Sequence, residues 1–195
     1  GVFEDVDSGQ KAVPGSLQAA GLDRLRRGIE PRADLRLNIE GAFIDGADLC
    51  LLQRGHSVSP VNACLRFAWH EVETWLQSGG PVPSLASAIH FDLGLVNGVP
   101  LCFTDGAALP DGSWVFTATA EATDDSVADG YCHGSAVGRV GATGQIQLLE
   151  PLSLRCKVEG IAATLDNGLL KLLLVTDADD RSAPALLLSA TLATT

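Results

Sequence analysis

The sequence predicts an all-β protein built from repeated antiparallel units, and three observations lead to that prediction. A phrase of one acid, one glycine and two small or apolar residues occurs three times, each followed by an Asp-Gly or Asn-Gly turn and an apolar segment. Between the turns, apolar and polar residues alternate with the period of two that is typical of half-buried strands. Glycine accounts for 21 of the 195 residues, which suits a chain with many turns.

The repeated phrase predicts the architecture more specifically. Its copies begin at Glu40, Asp105 and Glu159, and their separation exceeds the roughly 40–50 residues of compact propeller repeats. The extra length falls in the segments 79–87 and 121–134. Short strands without long intervening helices argue against a parallel α/β sheet. We therefore predict a β-propeller of four-stranded antiparallel blades, with blades at about residues 31–94, 95–150 and 151–195.

The first 30 residues are interpreted as the remnant of a further blade. A turn at Asp7-Ser8-Gly9 separates two short alternating segments, which predicts a hairpin over residues 1–15. Helical spacing of apolar residues predicts a short helix over 17–29, ended by Pro31. Propellers close with typically 4–8 blades. Because the chain also lacks methionine, we expect it to be the C-terminal portion of a longer propeller.

Each predicted blade begins with the hairpin that contains the repeated phrase. The strands of the first blade are predicted at 35–44, 49–53, 62–69 and 88–93, with a single helical turn at 71–76. Those of the second are predicted at 102–109, 114–120, 136–140 and 146–149. Those of the third are predicted at 157–165, 169–175 and 186–192.

Composition excludes several classes of function. The net charge is −11, whereas nucleic-acid binding requires a basic surface that neutralises phosphates. No segment approaches the ~18 uninterrupted apolar residues of a membrane span. The five cysteines are widely spaced without a CxxC pair, which argues against a zinc site or a disulfide framework. This cysteine pattern and the absence of a signal peptide favour a cytoplasmic protein.

Several motifs around the repeats carry a family resemblance. They include Leu37-Asn38-Ile39-Glu40-Gly41-Ala42, Phe103-Thr104-Asp105-Gly106-Ala107, Lys157-Val158-Glu159-Gly160 and Leu174-Val175-Thr176-Asp177-Ala178-Asp179-Asp180. From about residue 35 to 190 the chain resembles a family of uncharacterised bacterial propeller proteins, which is similar in turn to phytase-like and esterase-like propellers. The resemblance implies the propeller fold and no established activity. The looser relatives include calcium-dependent phosphatases and lactonases.

The repeated acids Glu40, Asp105 and Glu159 are the first candidate site residues. If the acid–glycine step starts the innermost strand of each blade, three carboxylates converge on the central channel. Such carboxylates raise one another's pKa unless a cation intervenes, and their oxygens suit calcium or another divalent cation. The alternative is structural, because acid–glycine pairs also bond the backbone at turns. The repeat itself does not distinguish the two arrangements, because both would recur in every blade.

Further candidates flank these acids. Asp177 and Asp179 follow the second strand of the third blade with an alternating spacing, although the rest of a calcium loop is absent. Gln53 and Arg54 occupy the corresponding place in the first blade, where an arginine could hold an anionic substrate or pair with a channel acid. Lys157 precedes Glu159 and has the same two interpretations. Solvated acidic loops and ion pairs between blades are the structural alternatives.

Two functional hypotheses follow. The first is a scaffold that binds a small molecule or a protein partner through an acidic central channel. The alternative is a phosphoesterase or lactonase that uses a divalent cation held by Glu40, Asp105 and Glu159, with Arg54 on the substrate. The sequence carries no complete catalytic constellation, which favours the scaffold.

Overall fold

The computed structural model describes residues 3–4, 11–12, 24–29, 37–55, 61–122, 130–177 and 182–193. Within them the chain has the predicted all-β fold, with three larger antiparallel sheets and one two-stranded ribbon. The ribbon pairs β1 (Phe3–Glu4) with β2 (Lys11–Ala12), inside the segment for which a hairpin was predicted. Helix α1 covers residues 24–29, and the remainder of the predicted helix 17–29 lies outside the described residues.

The three larger sheets follow one another along the chain. The first sheet contains β3 (Ile39–Asp45), β4 (Asp48–Gln53), β5 (Asn62–Ala68) and β6 (Leu85–Phe91) in that order. The second contains β7 (Leu95–Val96), β8 (Val99–Ala108), β9 (Trp114–Ala122), β10 (Tyr131–Val140) and β11 (Ile146–Pro151), and here β7 pairs with β8 at one edge. The third contains β12 (Val158–Asp166), β13 (Leu169–Thr176) and β14 (Leu187–Ala193).

Helix α2 (Trp69–Ser78) is longer than the single turn predicted at 71–76. It buries Val72 and Trp75 in a cluster with residues of β5 and with Leu25 and Ile29 of α1. Gly79 ends the helix in the left-handed conformation, and its N–H donates to the carbonyl of Trp75 at 2.9 Å. The local sequence signals for a helix are weak here. The apolar contacts with the first sheet therefore explain why the helix is longer than predicted.

The strands that carry the repeated phrase, β3, β8 and β12, lie side by side, with β8 in contact with both β3 and β12. At Gly41 of β3, an added Cβ would lie 2.9 Å from the Cα of Asp105 on β8. A residue without a side chain is therefore required for this approach of two backbones. A Cβ added at Gly160, the glycine of the third copy, would make only ordinary van der Waals contacts.

Strands β3, β8 and β12 each carry a one-residue irregularity in their pairing with the next strand. The register shifts between Ile39 and Gly41, between Phe103 and Asp105, and between Val158 and Gly160. The residues left between the paired positions are Glu40, Thr104 and Glu159. Glu40 and Glu159 are themselves the bulged residues, whereas Asp105 directly follows the bulged residue of its strand. Because side chains alternate along a strand, the side chain of Asp105 does not share the direction of the other two acids.

Aromatic side chains fill the space between the first and second sheets. Phe103 and Phe116 meet edge to face with ring centroids 5.0 Å apart, and Phe43, Phe91 and Trp114 complete the cluster. Between the second and third sheets the core is aliphatic, with contributions from Leu109, Val115, Val137, Val158, Leu170, Leu172 and Leu174. The second sheet is thus covered on both faces, which explains why β9 is buried along nearly its whole length.

Gly138 of β10 pairs directly with Phe116 of β9, and this position offers a stability test. A Cβ added at Gly138 would lie 2.0 Å from Cζ of the fully buried Phe116 ring. We expect Gly138→Ala to destabilise the protein by about 1–3 kcal/mol through overpacking, as measured by denaturant unfolding. Gly28→Ala is the control, because its Cβ meets only an ordinary contact at 3.6 Å. Equal effects of the two substitutions would contradict this interpretation.

In the part of the chain that the structure describes, no helix is long and apolar enough to cross a membrane.

Candidate functional site: a cluster of charged side chains joining three sheets

Glu121, near the end of β9, lies at the centre of a charged cluster. Its side chain is only 4% exposed, and one carboxylate oxygen forms an ion pair with Arg54 at the end of the first sheet's β4. The other oxygen lies 3.7 Å from Nζ of Lys157, which precedes β12 of the third sheet. That oxygen also accepts a 2.8 Å hydrogen bond from the backbone N–H of Gly130. One buried carboxylate therefore links all three sheets.

Glu40 and Glu159 form the more exposed part of the cluster. Glu40 Oε1 lies 4.0 Å from Nη1 of Arg54, and Glu159 Oε1 lies 3.7 Å from Nζ of Lys157. Their side chains are 29% and 27% exposed. The cluster thus has a buried floor of Arg54, Glu121 and Lys157, beside two glutamates that solvent can reach.

The carboxylate of Glu159 has a raised pKa. Burial raises its pKa, and the negative charges of Glu40 and Glu121 act in the same direction. The cations of Lys157 and Arg54 oppose this shift. Among the described residues, no donor forms a hydrogen bond with the buried Glu159 Oε1. A donor from outside the described residues would therefore stabilise the ionised carboxylate.

Asp105, the third predicted acid, is placed differently from the other two. Its Oδ2 accepts a 3.0 Å hydrogen bond from the backbone N–H of Ile161, which connects β8 to β12. Burial raises the pKa of Asp105, while hydrogen bonds from the backbone of Ile161 and Gly106 lower it. This contact corresponds to the structural alternative for the repeated acid, in which the carboxylate joins neighbouring units.

The remaining predicted residues divide by environment. Gln53 is buried; its Oε1 accepts from the Asn38 N–H and its Nε2 donates to the Arg54 carbonyl, both at 2.7 Å. It thereby holds the chain just before Arg54. Asp177 is exposed beyond β13, where its N–H donates to the carbonyl of Lys157 at 3.0 Å. Asp179 lies outside the described residues.

Within the residues that the structure describes, no group of three or more His, Cys, Asp or Glu side chains is arranged to hold a metal ion. Glu40 and Glu159 approach the same cluster, but Arg54, Lys157 and Glu121 lie with them. Cations of the protein thus occupy positions beside the carboxylates. The predicted role of Glu40, Asp105, Glu159, Asp177 and Asp179 as metal ligands stays a prediction.

Tyr131 and Arg155 form an exposed aromatic surface near this cluster. The guanidinium carbon of Arg155 lies 5.1 Å from the centre of the Tyr131 ring, and the imidazole of His133 meets the same ring edge to face at 5.1 Å. The intervening Cys132 pairs with Glu121 between β10 and β9, which places this surface beside the cluster. Tyr131 is 58% exposed, so its ring is accessible to a ligand.

Glu121 was predicted to lie in the long acidic segment 121–134 after the second strand of its blade, and it was not among the predicted metal or substrate ligands. A usable signal was present, because polar residues recur at Thr117, Thr119 and Glu121 along an otherwise apolar strand. That period of two marks one face of β9 as polar. The face packs against the third sheet, where the hydroxyl of Thr119 lies 3.4 Å from the carbonyl oxygen of Val158.

The fold and the cluster define an all-β protein in which three stacked antiparallel sheets meet at a group of charged side chains. A family of unknown function, DUF6910, matches residues 5–181. The chain therefore belongs to the DUF6910 family. No curated protein and no solved structure shows significant similarity to it.

Proposed function

We propose that this chain forms a β-propeller or a large part of one, and that it is a non-catalytic scaffold that binds a small cationic ligand at the charged cluster. In this arrangement the three larger sheets are blades, and β3, β8 and β12 line the central channel. The adjacency of these strands and the bulge in each of them support the proposal. The predicted blade limits at 94 and 150 lie close to the ends of β6 and β11.

The unsatisfied oxygen of Glu159 is the observation that favours a ligand with donor groups. Glu159 Oε1 is buried and accepts no hydrogen bond among the described residues, and its ion pair with Lys157 Nζ is long at 3.7 Å. A closer donor would therefore stabilise its ionised form. The partly exposed Glu40 lies in the same cluster and adds a second accessible carboxylate. Three carboxylates against the two cations Arg54 and Lys157 leave an excess of negative charge. A small ammonium compound or a divalent cation fits this chemistry.

The hydrolase alternative has less support from the described residues. Activation of water by a divalent cation requires several oxygen ligands on one ion, and Asp105 is engaged with the Ile161 N–H instead. Arg54, predicted to hold an anionic substrate, is engaged by Glu121 and approached by Glu40. The hydrolase therefore has a place only if the binding experiment below reveals calcium-dependent hydrolysis.

Calorimetric titration of the protein with putrescine and, separately, with calcium chloride tests the proposal. We expect saturable binding of at least one probe and a rise in melting temperature, because a ligand that binds only the folded state stabilises it. Glu159→Gln should weaken binding about tenfold or more without loss of stability, since it removes a carboxylate whose ionised form is disfavoured by burial. Glu150→Gln, on the exposed surface of β11, is the matched control.

Acidification provides a further readout of the same site. The raised pKa of Glu159 means that its negative charge is lost at a higher pH than that of an ordinary glutamate. Binding of a cation should therefore weaken as the pH falls through the folded-state pKa of Glu159. Absence of binding by both probes, or an equal melting shift in the Glu40→Gln/Glu159→Gln double variant, would contradict the proposal. Calcium-dependent phosphoester or lactone hydrolysis that disappears in that double variant would replace the scaffold with the hydrolase.

A further inference from the structure

Strand β14 (Leu187–Ala193) forms an open edge of the third sheet. It pairs with β13 on one side, and no described strand pairs with it on the other side. The first sheet has four strands and the second has five, whereas the third has three. The backbone N–H and C=O groups of β14 that point away from β13 are therefore available to a further strand.

The pairing of β14 is more regular than that of the outer strands of the other two sheets. All seven of its residues pair with β13 without a shift of register. The pairings of β6 with β5 and of β11 with β10 each contain a register shift, and β11 also carries Glu150 and ends at Pro151. Irregular pairing, charge and proline all protect a sheet edge against a further strand. The strand β14 has none of these three features.

The side chains of β14 that face the core are less buried than those of its neighbour β13. Leu170, Leu172 and Leu174 of β13 are at most 2% exposed. Leu188 and Leu192 of β14 pack against the same aliphatic core but are only partly buried. A further strand at this edge would cover these two leucines, which favours an occupant with apolar side chains on the core side.

The edge is complementary to a second copy of itself. Identical antiparallel strands that pair about a two-fold axis place one residue opposite its own copy. Because Ala190 is the middle residue, a two-fold axis there lets all seven residues of β14 pair. Leu188 of one copy then lies opposite Leu192 of the other on the core side, and Ser189 lies opposite Thr191 on the exposed side. This register matches apolar with apolar side chains and hydroxyl with hydroxyl.

The distribution of charge also favours a second copy at this edge. The protein carries a net charge of −11, so two copies repel each other over most of their surfaces. The strand β14 has no charged side chain, and Leu187 at its start is 71% exposed. Two copies therefore meet the least repulsion where an uncharged and largely apolar strand faces its own copy.

We propose that β14 is a dimerisation strand. Two copies of the chain pair their β14 strands in antiparallel orientation about Ala190, and two three-stranded sheets become one six-stranded sheet. The charged cluster takes no part in this contact, because none of its residues lies on β14. One strand from each copy makes a small interface, so we expect a reversible dimer that dissociates on dilution.

Sedimentation velocity of the 195-residue chain over a range of concentrations tests the proposal. We expect a monomer–dimer equilibrium whose dissociation constant rises at least about tenfold in Ser189→Lys/Thr191→Lys, because lysines then face lysines across the two-fold axis. Both side chains are exposed in the single copy. The matched control is Ala86→Lys/His90→Lys, which adds lysines at exposed positions of the edge strand β6 and should leave the equilibrium unchanged.

A charge-swap experiment identifies the strand that pairs. Ser189→Asp/Thr191→Asp should also dissociate the dimer, and an equimolar mixture with the lysine variant should form a heterodimer, because opposite charges then face each other. Circular dichroism establishes that each variant is folded. In the unsubstituted protein, amide hydrogen exchange of β14 should slow as the protein concentration rises, which tests the same contact without a substitution.

The proposal is overturned if the chain is monomeric at every concentration, or if the β6 variant weakens the dimer as much as the β14 variant does. It is equally overturned if the folded lysine and aspartate variants do not associate when they are mixed. A dimer in which hydrogen exchange of the β14 amides does not depend on concentration would place the interface on another surface and overturn the proposal as well.

Discussion

Replacing Glu121 with glutamine is expected to destabilise the protein by about 3–5 kcal/mol. The substitution keeps the shape of the side chain but removes the negative charge that faces both Arg54 and Lys157. These two cations have side chains only 13% and 8% exposed. In the part of the chain that the structure describes, the loss of Glu121 leaves Arg54 with the partly exposed Glu40 at 4.0 Å and Lys157 with Glu159 at 3.7 Å. The hydration of the two buried cations is not restored, so the lost attraction is not replaced. The effect should appear as a lower midpoint of denaturant unfolding with an unchanged slope.

Glu40→Gln is the matched control for this prediction. It makes the same chemical change at a carboxylate of the same cluster, but Glu40 is 29% exposed and lies 4.0 Å from Arg54. Ion pairs that water can reach contribute ~0–1 kcal/mol, so the control should change stability by less than about 1 kcal/mol. Similar losses in the two variants would show that Glu121 is not the carboxylate that stabilises the buried cations.

Most strands were predictable from the sequence because their signals are local, although the two-residue β7 was not predicted and β10 begins at Tyr131 rather than at residue 136. The hairpin of the third sheet has the sharpest signal: Leu170, Leu172 and Leu174 alternate with outward-facing residues after the Asn167-Gly168 turn. Asn167 has a φ of 49°, and Gly168 has a φ of 76°, which is the conformation that an Asn-Gly hairpin turn favours. Here pattern and turn chemistry agree, and the structure has the expected strands.

The arrangement of the site was not predictable in the same way. Glu40, Asp105 and Glu159 look equivalent in the sequence, yet the bulge in the second sheet falls at Thr104 rather than at the acid. A bulge of one residue reverses the direction of the side chains that follow it. The carboxylate of Asp105 consequently bonds the backbone of the third sheet, while the other two acids lie near Arg54 and Lys157.

Contacts between sheets also escaped sequence analysis, because they depend on residues far apart in the chain. The hydroxyl of Thr104 donates to the carbonyl of Val158 at 2.7 Å, and the hydroxyl of Ser135 donates to the carbonyl of Cys156 at the same distance. All of these groups lie at the boundary between the second and third sheets. Buried hydroxyls thus donate to backbone carbonyls that have no partner in a neighbouring strand. Each of these contacts exists only because the two sheets are stacked.

Asn62 performs the corresponding role between the first and second sheets. Its Nδ2 donates to the carbonyl of Leu101 at 2.9 Å, and its Oδ1 accepts from the N–H groups of Phe103 at 2.9 Å and Gly55 at 3.3 Å. The side chain therefore pairs with β8 as the backbone of a neighbouring strand would. Asn62 itself is 1% exposed, so water cannot easily replace these bonds.

Asn62→Ala is accordingly expected to destabilise the protein by about 2–4 kcal/mol, because it leaves buried backbone groups of Leu101 and Phe103 unpaired. The free energy of unfolding from a urea titration measures this loss. Asn167→Gly is the control, since it also removes an asparagine side chain but at an exposed turn whose left-handed conformation glycine adopts freely. It should change stability by no more than about 0.5 kcal/mol. If Asn62→Ala were equally mild, the hydrogen bonds of Asn62 would not be what joins the first sheet to the second.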